Sequence, residues 1–144
     1  MTRIIAITAL AAITSVFLPM NGLAQTPPPS GRPLIGKWQW TRSQNKCTEL
    51  YDFRADGTAP VTSGTEKTEN TYSIANSPDQ NGFYRITMKT TKDYGGKDCG
   101  DNEGDSTGQE STNFVLFNPS RSMHIVCVEP KEERCFGPLR RVSD

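Results

Sequence analysis

From residue 34 onward, hydrophobic positions recur at every second residue in short runs broken by glycine, proline, asparagine or aspartate, and no stretch carries a helical period. Over 37–42, Trp38 and Trp40 share one face, with Lys37, Gln39 and Thr41 on the other. Over 47–54, Cys47, Glu49, Tyr51 and Phe53 align. Asp56-Gly57 then signals a hairpin, because glycine supplies the positive φ that such a turn needs. A weak strand over 58–63 contains Pro60, which removes a ladder donor and suits an edge or a bulge. Asn70, Tyr72 and Ile74 are in phase over 67–75, and Tyr84, Ile86 and Met88 over 83–91. Residues 112–117 are apolar on both faces, 122–128 follow the turn at Asn118-Pro119, and 135–142 complete the set. The expectation is eight antiparallel strands joined consecutively, an all-β chain. Up-and-down order lets such a sheet close into a barrel and lose its exposed edges. An open two-sheet sandwich is the competing architecture.

Up-and-down order also fixes which links share an end. The first, third, fifth and seventh links carry Cys47, Cys99, Cys127 and Cys135 to a single rim, while the turns at Asp56-Gly57, 76–82 and Pro119 lie at the other. Four cysteines allow three pairings. Cys127 and Cys135 flank one hairpin link and can face each other, which leaves Cys47 to strap Cys99 and the long loop to the rim. The sequence does not close the question.

Residues 1–24 stand apart from this pattern. A basic start at Arg3, an apolar run from Ile4 to Leu18 and small residues at Gly22-Leu23-Ala24 read as a secretory signal peptide cut after Ala24. The run is too short, too interrupted and too soon ended by Pro19 for a membrane anchor. No cysteine follows the cut to carry a lipid. Residues 25–33, with three consecutive prolines, read as an extended tether, so the folded domain is expected over 34–144. Export to the periplasm or the medium fits four cysteines in a small chain, read as two disulfides. Without Arg3 there are 15 basic and 16 acidic side chains, a net charge near −1. That balance points away from nucleic acid and anionic membranes.

The start of the first strand resembles a known family. Gly36-Lys37-Trp38, answered near the C-terminus by Arg140 and Arg141, resembles the Gly-x-Trp opening of lipocalins and related calycin barrels. The resemblance implies an eight-stranded barrel whose tryptophan closes the bottom, with a C-terminal arginine packed across the indole. Gly36, Trp38 and Arg140 or Arg141 would then form a structural clasp, held by cation–π attraction and edge hydrogen bonds. It also implies an open rim, a small hydrophobic or amphipathic ligand inside the barrel, and a monomer. The chain is shorter than typical lipocalins, has no evident C-terminal helix, and adds an insertion over 92–111.

Candidate chemistry is sparse. The inward surface is expected to carry Trp40, Tyr51, Tyr72, Tyr84, Met88 and Phe114 as ligand contacts, with Phe53, Ile74, Ile86, Leu116, Met123 and Ile125 beside them. Such a surface either fills a short barrel or lines a pocket with phenol hydroxyls. The loop over 93–110 has six acids and five glycines, with Asp101, Glu103 and Asp105 alternating. It lacks the glycine and glutamate of an EF-hand and reads as a flexible solvated loop, so no metal is expected. The single histidine, His124, is out of phase with Met123 and Ile125 and is expected on the opposite face, with no nucleophile placed beside it. Glu49 and Asp52 point to opposite sides of one strand. No catalytic motif or cofactor signature appears, so an enzyme is not expected. Two functions remain: a carrier of a small hydrophobic molecule, or a module that binds an envelope protein, such as a hydrolase, through the disulfide-braced rim.

Overall fold

A computed structural model describes residues 32–143; the signal peptide read over 1–24 and the tether up to residue 31 lie outside them. Eight strands form one closed antiparallel barrel in strict sequence order. They are β1 (Gly36–Thr41), β2 (Thr48–Phe53), β3 (Val61–Ser63), β4 (Glu66–Ile74), β5 (Tyr84–Asp93), β6 (Glu110–Phe117), β7 (Met123–Cys127) and β8 (Cys135–Val142). The barrel closes where Lys37, Trp38 and Gln39 of β1 pair with Val142, Arg141 and Arg140 of β8. Closure leaves no open edge for another chain to extend.

β3 is shorter than its sequence pattern. Pro60 has no N–H to give the ladder, so Thr58 makes only an isolated bridge to Thr71, and the strand proper begins at Val61. Ordered structure begins slightly before Leu34. Pro33 is buried, and the Ile35 amide donates back to the Arg32 carbonyl at 3.3 Å, so the last two residues assigned to the tether belong to the fold.

The disulfides are Cys47–Cys99 and Cys127–Cys135. Both lie at the rim formed by the β1–β2, β3–β4, β5–β6 and β7–β8 links. The β5–β6 loop is braced rather than flexible, which corrects the sequence reading. The Thr65 and Glu66 amides both donate to the Lys97 carbonyl, and the Cys99 amide donates to the Ser63 hydroxyl at 3.0 Å. Gly64, at φ +59°, allows this approach: a Cβ there would come within 2.7 Å of the Lys97 carbonyl oxygen. The loop's acids serve its own turns. Asp98 accepts from the Gly100 and Asn102 amides, Asp93 from Ser106, and Asp105 from Thr107; these bonds hold all three carboxyls below the usual carboxylate range.

Replacing Cys127 and Cys135 together with serine is expected to lower stability by about 2–3 kcal/mol, the loop-closure value for so short a ring. Their sequence separation is 8. Urea unfolding with and without reductant would measure it, and an unchanged midpoint would contradict the estimate.

Candidate functional site

The end opposite the disulfides is sealed. Trp38 is fully buried, its indole Nε1 donates to the Leu34 carbonyl at 2.8 Å, and Leu34 itself is 1% exposed. The Arg141 guanidinium lies over the indole, 4.1 Å from the ring centroid. Its Nη1 donates to the Ile35 carbonyl at 2.7 Å and its Nη2 to the Pro33 carbonyl at 2.9 Å. Parity selects this arginine over its neighbour. Trp38 pairs with Arg141 on the inner face, whereas Arg140 pairs with Gln39 outside and reaches Met123 Sδ. Gly36, at φ +126°, is required because a Cβ would collide with Arg141 Nη1.

Above this floor lies a partly enclosed chamber of about 200 Å3 inside the barrel. Most of the lining is apolar, with Phe53, Val61, Ile86, Met88, Val126 and Phe136, and polar side chains of β4 (Thr68, Asn70) and β6 (Ser111, Asn113) flank the β5 residues Ile86 and Met88. Ser111 lines the chamber and is solvent-exposed, which places the opening toward the disulfide rim.

Sequence reasoning placed some of these residues and misplaced others. Tyr51 and Met88 line the chamber. Trp40 faces inward and packs on Phe136 with ring centroids 4.9 Å apart. Tyr72 instead donates its hydroxyl to the Arg54 carbonyl at 2.8 Å and lines an outer groove near Arg32 and Asp56. Tyr84 packs edge-on against Phe117 near the sealed end.

Phe114 is a correction. It pairs with Arg85 and Cys127 on the outer surface, as Leu116 pairs with Ile125, while Val115 opposes Tyr84 on the inner face. Met123 and Ile125 are likewise outside, and His124 is inside. The cause is that both β6 and β7 carry apolar side chains in either phase, so alternation cannot choose between them. The register against β5, whose Ile86 is unambiguously core, makes the choice.

His124 therefore belongs to the floor of the chamber, 2% exposed, between Trp38 at 4.3 Å and Phe117 at 5.2 Å between centroids. Its Nδ1 is buried without a hydrogen-bond partner. Burial, reinforced by the Arg141 charge, pushes its pKa down to about 3, so the ring is neutral at physiological pH. Burial and the adjacent Glu49 push the Tyr51 phenol well above its ordinary value, so it too is neutral.

At inward positions toward the rim, Glu49 accepts from the Tyr51 hydroxyl at 2.5 Å and from the Ser63 hydroxyl at 3.2 Å. Glu66 pairs with Ser63 one strand over, and burial followed by repulsion from Asp93, Asp98 and Glu49 raises its pKa. Among the described residues, no group of three or more histidines, cysteines and acids is arranged to hold a metal ion.

Sequence reasoning missed the polar part of the lining. Asn113 alternates with Val115, but with Phe114 and Leu116 taken as inward its position went unread. Fold and site together define a closed, disulfide-braced antiparallel β-barrel with a small internal chamber. Comparison with protein-family models, curated proteins and solved structures finds no match.

Proposed function

We propose that this protein is an exported lipocalin-like binding protein that holds a small amphipathic molecule in the barrel. The observation that carries the reading is the chamber: sealed at the Trp38 end, reachable at the disulfide rim, and lined mostly by apolar side chains with polar groups from β4 and β6. A pocket of this kind orients a ligand through a few polar groups while apolar contact supplies most of the affinity. Binding rather than catalysis is the reading, because the lone histidine is neutral and packed between aromatic rings beneath the chamber. Two disulfides and a signal-like start support a periplasmic or secreted location. Among the described residues, no helix is long and apolar enough to cross a membrane.

Native mass spectrometry of protein purified from its own cell envelope tests this. The expected result is a bound small molecule that is lost when Val126→Trp fills the chamber. The second reading, a protein-binding rim, draws on Tyr94 and Val128, which are 55% and 52% exposed on the rim links. A chain free of small molecules but bound to a stoichiometric protein partner would move the conclusion to that reading.

A further inference from the structure

Resting on the chamber as a ligand site, we propose that its ligand is an uncharged, ring-sized molecule bearing an amide or lactam group read by Asn113. The first ground is an unused hydrogen-bonding group. Asn70, in the same lining, is saturated: its amide nitrogen donates to the Ala59 carbonyl and to Thr68, and its oxygen accepts from Thr90. Asn113 has no such partner. It opposes Ile86 on the inner face and lines the chamber, half-buried, and its side-chain amide makes no hydrogen bond to a described residue. A side-chain amide offers both a donor and an acceptor. An amide edge satisfies both at once in one plane, and a ring without such a group gives up that pair of bonds to the half-buried Asn113.

The second ground is size. A cavity of roughly 150 Å3 accommodates benzene. At about 200 Å3, this chamber takes a ring with a short substituent and does not enclose a long acyl chain.

The third ground is charge. No lysine or arginine lines the chamber, and its one histidine is neutral. The inward carboxyls of Glu49 and Glu66 stand toward the rim by which a ligand enters. An anion would meet repulsion on the way in and no counter-charge inside.

Benzamide, toluene and benzoate are suitable probes, because they share one ring and differ only in the group offered to Asn113. Titrations followed by 1H–15N NMR should show benzamide shifting the amides of Thr68 and Ser111 to Val115 saturably, with benzoate at least about tenfold weaker. The Asn113→Leu variant should move the ratio of benzamide to toluene affinity toward toluene by about tenfold, the worth of one hydrogen bond at the upper end of its usual range. Benzoate binding as tightly as benzamide would overturn the proposal, and that comparison needs no variant to fold. An unchanged ratio in Asn113→Leu would also overturn it, while toluene binding would leave the small-ligand function standing. No binding by any of the three would overturn both.

Discussion

Trp38→Ala is expected to destabilise the barrel by about 3–5 kcal/mol, the range for removing a large aromatic from a core. The indole is 0% exposed and joins three things that nothing else joins. It caps the core beside Leu34 and Leu139, holds the Leu34 carbonyl by its Nε1, and gives the Arg141 guanidinium a face to lie on. Without the ring, Arg141 keeps its bonds to Pro33 and Ile35 but sits over a void. Trp38→Phe should recover part of the loss, since it restores packing but neither the hydrogen bond nor the stronger indole attraction. Urea unfolding followed by circular dichroism would measure both variants. A loss below about 1 kcal/mol for the alanine variant would mean that the sealed end is not where the barrel is held shut.

Acidification is the second large expectation. His124 is neutral in the folded state down to about pH 3, whereas the unfolded chain takes up its proton near pH 6.5. Between these values the unfolded state binds more protons, so stability rises with pH there. The contribution is complete above pH 6.5 and declines as pH falls toward 3, at a slope of up to about 1.4 kcal/mol per pH unit and a total of several kcal/mol. Asp56, Asp93, Asp98 and Asp105 have lowered pKa values and also lose stability in acid, but only below the ordinary aspartate range. From about pH 6 to 4.5, His124 makes stability rise with pH, while Glu66, whose pKa is raised, works in the opposite sense, so the His124 part is the difference between the protein and its His124→Leu variant. His124→Leu should flatten the pH dependence in that interval and remove the unpartnered Nδ1. Parallel slopes for the two proteins would show that His124 is not buried neutral.

Much of the architecture was legible before any coordinates. Residues such as Trp38 and Trp40, or Tyr84, Ile86 and Met88, alternate cleanly with polar neighbours, and each run falls on an observed strand. The turn at Asp56-Gly57 and the shortening at Pro60 follow from backbone chemistry local to those residues. Alternating strand direction gathers all four cysteines at one rim, while the choice of Cys47–Cys99 and Cys127–Cys135 among the three pairings was left open by the sequence. The candidate site was legible only in part: Tyr51 and Met88 were found, but Asn113 and His124 were not.

The sequence by itself determined the number of strands, their order and the end at which the sulfurs meet, because these depend on period and chain direction, which are local properties. Tertiary structure alone decided which face of β6 and β7 looks inward, since both phases of those strands are apolar and only pairing with β5 and β8 separates them. It also chose Arg141 over Arg140, through the register against Trp38. That one-residue choice of phase put Phe114 outside and His124 and Asn113 inside. The chamber's polar groups and its neutral histidine are thus products of strand pairing between segments far apart in the chain.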